Sequence, residues 1–376
     1  MSEIYPPFEP PRRILMGPGP SNVSSRVYRA LARPTIGHLD PAFLEMMNQV
    51  SDQLRLLFGT ANRLTFAVSG TGSAGMETAF VNALEAGDTA IVGVNGVFGQ
   101  RMCSVAERCG ARVVTVEAPW GEPLDVGELI DTWRAHEDAR LLAVVHAETS
   151  TGVRQPLEEL GAALRESETL FVVDAVTSLG GIPVRVDDWG IDICYSGTQK
   201  CLSVPPGLAP ITFSERALER SRSRGGSVQS WYLDVGMIAS YWGAERSYHH
   251  TAPINMLYAL HEGLRIVLEE GLETRHERHR SLGERLQSGL TERGLELLVA
   301  EPYRLPQLTS VRLPDGVDEG AMRRELLDRY GIEVGGGLGP LAGEIWRVGL
   351  MGETCRWENV LSFHAALDEL LEDNGT

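Results

Sequence analysis

Disulfide chemistry is the first thing this sequence lacks: its five cysteines, Cys103, Cys109, Cys194, Cys201 and Cys355, form no CxxC pair and leave one over. That arithmetic excludes a disulfide framework and predicts reduced thiols in a cytosol. Long apolar runs are missing too. None reaches the ~18 residues of a membrane span, and prolines interrupt the opening "MSEIYPPFEPPRRILMG" where a signal peptide needs an apolar core. A soluble, cytoplasmic protein is expected. Positive charge is scarce, with 34 Lys and Arg against 51 Asp and Glu and a formal net charge of −17. Such a surface repels nucleic-acid backbones and anionic membrane surfaces, so neither is an expected partner, while a local cationic pocket still suits a small anion. Repeats and low-complexity tracts are absent as well. A chain of 376 residues with 43% hydrophobic content has material for one large and one small domain.

What the sequence does contain, between residues 60 and 215, is a recurring pattern of short apolar runs followed by helical stretches. The runs are "RLTFAVS", "TAIVGV", "ARVVTVE", "ARLLAVVHA", "TLFVVDA", "IDICYSG" and "LAPITFS". Continuous apolarity marks strands buried on both faces, which predicts an α/β fold with a mostly parallel, seven-stranded sheet covered by helices in three layers. Around Met256 the pattern changes to "NMLYALHEGLRIVLEEGLETRHERHRSLGERLQSGLTERG", whose apolar spacing predicts one long helix bridging two domains. Beyond it, strand-like "LTSVRLP" and "EIWRVGL", helical "EGAMRRELLDRYG" and a final helix from Arg356 make a small α+β domain. The expected divisions are an N-terminal arm over 1–20, a large domain over 21–270 and a small domain over 271–376.

In open α/β sheets ligands sit outside the carboxyl ends of the strands, so the residues ending the runs are the first candidates for function. "LTFAVSGTGSAGMETAF" passes from a strand through small residues into a helix, aiming N–H groups and a positive dipole end at an anion. "LLAVVHAETSTG" ends in Glu148, Thr149 and Ser150, "TLFVVDAVTSLGG" places Asp174 at a strand mouth, and "IDICYSGTQK" does so for Lys200. "GTGSAG" also matches the dinucleotide-binding GxGxxG pattern, but Asp88 precedes the strand "TAIVGV", whereas a ribose-binding carboxylate follows it. One phosphate cradle, one lysine and one carboxylate suit pyridoxal phosphate better. Its phosphate needs N–H donors, its aldehyde an amine, and its pyridinium nitrogen a carboxylate. Lys200, desolvated beside a cationic ring, gains a lowered pKa, which suits a Schiff-base nucleophile and later a base at the substrate Cα. Asp174 would keep the ring nitrogen protonated, and Thr198 and Gln199 flank the lysine in reach of phosphate or ring. Singly, a strand-end lysine is ordinarily a solvated charge and a strand-end aspartate a helix cap. Together, 26 positions apart across one strand and helix, they point to chemistry.

"DAVTSLGG" followed by "YSGTQKCLSVPPG" resembles the class V, fold-type I pyridoxal-phosphate aminotransferases, most of all the alanine–glyoxylate type. "LMGPGPSNV", "SGTGSAGMETAFVN", "VNGVFGQR", "HAETSTGVRQPL", "YHHTAPI" and "GGLGPLAGEIWRVGLMG" extend the resemblance in order over essentially the whole chain. It implies the fold-type I architecture and transfer of an amino group from alanine or serine to glyoxylate, giving glycine and a 2-oxo acid. It implies that Lys200 carries the cofactor and that Asp174 partners the pyridine nitrogen, with Val176 against the ring and Gln199 close by. Gly72 and Ser73 would bind the phosphate, Phe98 would stack on the ring, and Thr149 would contact the ring oxygen side. Tyr248 and Thr251 would reach the phosphate of the neighbouring subunit in a homodimer with shared sites. Arg347 would clamp the substrate carboxylate bidentately, and the backbone near Gly19 would line the same pocket. Three positions depart from the vertebrate pattern, with Phe98 for tryptophan, Ser73 for histidine and Thr149 for serine. Serine–glyoxylate, ureidoglycine–glyoxylate and pyridoxamine–pyruvate enzymes share most of these motifs. A lyase or desulfurase of the class would use a loop cysteine, for which Cys355 is the candidate. The pairs His249–His250 and His276–His279 lack an acidic ligand set, so no metal is expected.

Overall fold

The computed structural model describes residues 4–314 and 316–373. The outer ends of the expected arm and small domain, and Asp315 within the latter, lie outside the described residues. All seven expected runs form strands of one sheet. In chain order they are β1 (Leu64–Ser69), β2 (Thr89–Val94), β3 (Arg112–Glu117), β4 (Ala139–Val145), β5 (Leu170–Asp174), β6 (Ile193–Tyr195) and β7 (Leu208–Phe213). Their order across the sheet is β1-β7-β6-β5-β4-β2-β3, and only β7 runs antiparallel to its neighbours. Every residue of β2, β5 and β7 is buried, as continuous apolar runs require of central strands covered on both faces. β3 lies at the edge and carries exposed Arg112, Thr115 and Glu117. This order makes β5 and β6 neighbours, with Asp174 opposite Tyr195 at their carboxyl ends.

A second core gathers Leu286, Leu290, Leu326, Trp346, Phe363 and Leu367 around a small antiparallel sheet. Its strands are β8 (Leu308–Arg312), β9 (Gly335–Gly336) and β10 (Ile345–Gly349), in the order β8-β10-β9. Met16 joins this core from the other end of the chain. Ile14–Leu15 pairs in parallel with Ile332–Glu333, and the Gly349 amide donates to the Met16 carbonyl at 2.7 Å. The segment before residue 20 is therefore stitched to the C-terminal elements. Among the described residues no helix is long and apolar enough to cross a membrane.

One expectation needs correction. The single bridging helix is two helices, Ile254–Glu270 and Leu272–Glu292, separated by Gly271 at φ +83°. A side chain is costly in that backbone region, so the break belongs to glycine. Past the break, Arg275 turns back and donates to Glu270 at 2.6 Å, to the Gly180 carbonyl at 2.9 Å and to the Cys201 carbonyl at 2.6 Å. The junction thus grips the loop that carries Lys200. A Cβ at Gly271 meets nothing closer than the Thr274 hydroxyl at 3.9 Å. Gly271→Ala therefore carries only the conformational cost and should lower stability by about 1–2 kcal/mol. Urea unfolding checks this: the midpoint falls at constant m, and an unchanged midpoint would show that the break tolerates any residue.

Candidate active site

Asp174 ends β5 and is 3% exposed. The Val176 amide donates to its Oδ1 at 2.8 Å, and the Tyr195 ring lies beside it across the β5–β6 pair. Burial nevertheless dominates, pushing the carboxyl up to about 7 against the pull of the Val176 amide. Lys200 lies in the turn after β6 and is 8% exposed. Its carbonyl accepts from the Ser21 hydroxyl at 2.8 Å and from the Ser203 amide at 3.1 Å, so the turn is fixed on both sides. Its Nζ donates to the Pro18 carbonyl. Burial first, and the nearby Arg347 second, lower the amine to about 8. Gly19 sits directly against it at φ +116°, where a Cβ would fall 2.6 Å from Nζ. Only glycine lets the backbone come this close.

Arg347, in β10, is 6% exposed and reaches the same cluster. Its Nε donates to the Gly336 carbonyl at 2.8 Å and its Nη1 to the Thr149 carbonyl at 3.0 Å, which fixes the guanidinium plane. Burial lowers it to about 10, while the buried Glu148 acts in the opposite direction. The Thr149 hydroxyl meets that of Thr177. Across the site the helix Gly72–Ala83 begins at Thr71, whose side chain does not cap it. Gly72 is pressed close to Val176, whose Cγ2 would lie 3.1 Å from a Cβ there. Ser73 is exposed in the first turn and accepts from Arg101 at 3.4 Å. Arg101 also lies over the Phe98 ring, 4.9 Å from its centroid. The Gln199 side-chain oxygen is buried without a hydrogen-bond partner.

The structure therefore brings together Lys200, Asp174, Arg347, Gly19 and Thr149, and sets Gly72 against Val176 and Ser73 near Phe98 through Arg101. Thr198 is committed elsewhere, its hydroxyl donating to the Pro205 carbonyl at 2.8 Å. Tyr248 and Thr251 are exposed, and the Tyr248 ring packs on His38 at 5.2 Å. Sequence reasoning left out Tyr195 and Arg101, reached Pro18 only as backbone near Gly19, and gave Glu148 no role. Tyr195 was legible as the residue ending the run next to that of Asp174, whereas Pro18 meets Lys200 across 182 positions.

Other candidates are occupied structurally. Among the described residues no group of three or more His, Cys, Asp or Glu side chains is placed to hold a metal ion. His279 accepts from the Gly352 amide at 3.0 Å and bonds the Arg275 carbonyl at 2.8 Å, and His249 and His250 bond each other. Cys355 is fully buried, faces the Arg278 carbonyl at 3.9 Å, and is raised to about 11 by burial. A thiol held protonated and out of reach is a poor nucleophile. Cys355→Ala should leave the rate of amino transfer within about twofold. A steady-state assay that finds the rate abolished would instead put the thiol in the chemistry.

The family model for aminotransferase class-V matches residues 22–356. A (S)-ureidoglycine–glyoxylate transaminase of Bacillus subtilis is 42% identical, covering 96% of this chain and 91% of its own. The alanine–glyoxylate aminotransferase of Mus musculus is 40% identical over 97% of this chain and 89% of its own. The crystal structure of an alanine–glyoxylate aminotransferase from Nostoc sp. superposes with a TM-score of 0.96 at 50% identity, covering 98% of each chain. The chain belongs to the class V aminotransferases, and it is a transaminase with the fold shared by that family.

Proposed function

We propose that this transaminase uses pyridoxal phosphate to move an amino group from alanine or serine to glyoxylate, giving glycine and a 2-oxo acid. The observation that carries the reading is a buried amine, lowered to about 8, facing a buried carboxylate at the mouths of adjacent parallel strands. The residues present fit the cofactor in three respects. The uncapped first turn at Gly72 and Ser73 suits a phosphate. Gly19 and Gly72 let the backbone approach Lys200 and Val176 more closely than a Cβ would allow, and the unpartnered oxygen of Gln199 awaits a donor.

Pyridoxal phosphate, when bound, supplies an aldehyde that receives the amino group and a ring that draws electrons from the substrate Cα. Gly72 and Ser73 would hold its phosphate, Phe98 and Val176 its ring faces, and Asp174 its ring nitrogen, with Thr149 and Gln199 at the edge. Lowered to about 8, Lys200 has an uncharged fraction near neutral pH, so its Nζ can take the proton from the amino donor's Cα and, in the other half of the cycle, deliver a proton to the Cα of the new amino acid. Arg347, already gripped at Nε and Nη1, presents the rest of its fork to the substrate carboxylate. Burial of the lysine keeps water from competing for the same proton.

Glyoxylate is the acceptor because both relatives named above carry it in their names. The 42% identical relative favours a second reading in which (S)-ureidoglycine is the donor. The exposure of Tyr248 and Thr251 supports a homodimer in which each reaches the partner's phosphate. The two cores fit a large domain over 21–270 and a small one over 271–376. Free cysteines at all five positions support a reducing compartment, the cytoplasm. The test is glycine formation from glyoxylate and pyridoxal-phosphate-loaded enzyme, with alanine, serine and (S)-ureidoglycine supplied separately. The fastest donor names the substrate, and no glycine from any of the three would refute the glyoxylate assignment.

A further inference from the structure

Glu148 has no role in the function described above, yet it is the most enclosed carboxylate near the site, with no exposed surface. It ends a two-residue strand, Ala147–Glu148, paired with Val153–Arg154. Its Oε1 accepts from the Ser150 amide at 3.0 Å and the Ser150 hydroxyl at 2.5 Å. Its Oε2 accepts from the Phe98 amide at 3.2 Å. The Ser150 hydroxyl in turn accepts from the Val97 amide at 3.0 Å. The helix Val97–Arg108 begins at Gly96, which has no side chain to cap it. The cap therefore comes from 50 residues away in sequence. Gly96 permits this approach, since a Cβ there would fall 2.5 Å from the Glu148 carboxyl carbon.

The same carboxylate folds its own turn. The Gly152 amide donates to the Glu148 carbonyl at 2.8 Å, and the Ser150 amide to its side chain, so Thr149 is held between two closed loops. The Thr149 carbonyl is what Arg347 grips at 3.0 Å. One side chain thus couples the helix start that carries Phe98 to the carbonyl that aims Arg347.

We propose that Glu148 is a positioning residue for amino transfer, an internal anion that caps the helix of Phe98 and sets the orientation and charge of Arg347. The roles of Phe98 and Arg347 in this statement rest on the function proposed above. The charged groups facing Arg347 are Glu148, Lys200 and Arg323, the last paired with Glu319 at 2.7 Å. Of these, Glu148 is the anion that favours the charged guanidinium. Burial raises the Glu148 carboxyl itself, and its hydrogen-bond donors oppose that rise.

Glu148→Gln keeps the shape but removes the charge and turns one acceptor into a donor that faces an N–H. Glu148→Asp keeps the charge and shortens the reach. Three readouts follow. In the cofactor-free protein, amide exchange at Val97 and Phe98 should speed up in both variants while amides of β5 stay protected. In the loaded enzyme, Glu148→Gln should raise KM for the amino donor about tenfold with a smaller change in kcat. The alkaline pH at which KM rises, where Arg347 loses its proton, should move down in Glu148→Gln and stay in place in Glu148→Asp. Unchanged exchange at Val97 and Phe98 would overturn the cap. Faster exchange with an unmoved alkaline limb would overturn the electrostatic part, since a purely structural residue leaves that limb alone. The exchange readout uses no cofactor and no substrate, so it stands even if the assignment of donor and acceptor fails.

Discussion

Lys200→Ala loses amino transfer by on the order of 10³-fold or more, because no other amine stands where the Cα proton is handled. The visible absorbance that pyridoxal phosphate shows when held by a lysine disappears with it, read in a spectrum of the loaded protein. Full activity in this variant would end the proposed function. A companion change gives an opposite sign for stability. Lys200→Met fills much of the same space without the charge. In the wild-type protein without cofactor, burial has lowered the amine to about 8 from an ordinary 10.5. The folded state therefore carries a buried charge below pH 8 that the unfolded chain holds at no cost. Wild type is the less stable of the two by about 2–3 kcal/mol there, and the gap closes as pH rises through 8 toward 10.5. Urea unfolding of both cofactor-free proteins across that range reads the gap. A gap that widens with pH would show that the amine is not desolvated.

Asp174→Asn is the second large effect, and its pH window lies lower. Burial has raised this carboxyl from 3.8 to about 7. The folded protein then binds more protons than the unfolded chain between those values, so wild type loses stability as pH rises through them. Above pH 7 the whole cost is present, and Asn, which carries no charge, should be more stable by on the order of 2–3 kcal/mol in the cofactor-free protein. Below pH 4 the two should match. Amino transfer should fall by about 10²–10³-fold, as expected when a preorganised charge is removed from a reacting centre. A variant less stable than wild type at pH 8 would mean that another group holds Asp174 ionised. Both variants predict that the site is built against the stability of the empty fold, and that bound cofactor removes the burden.

The strands were legible because a strand buried on both faces has no polar positions to interrupt it, as in "TAIVGV" and "TLFVVDA". Asp174 and Lys200 were legible as the polar residues following such runs. β9 was not, since Gly335 and Gly336 present no side chains from which a period could be read. The break at Gly271 was hidden for a related reason: a single glycine in a helical pattern is ordinarily tolerated, and its positive φ is a property of the folded backbone. Glu148 was noted at its strand end but given no role, because its local sequence names no partner. What buries it is a helix start 50 residues earlier, and no local pattern announces such a meeting. Thr198 shows the other limit of local reading: its position beside the lysine suggested the cofactor, and in the fold its hydroxyl donates to the Pro205 carbonyl of its own turn.

The stitching of Ile14–Met16 to the C-terminal elements has a consequence for biosynthesis. On the ribosome these residues emerge long before their partners Ile332, Glu333 and Gly349 exist. Pro18 and Gly19 lie over Lys200 on a segment whose other side is held by the last strand of the small sheet. The cover over the lysine is thus anchored by elements near the opposite end of the chain.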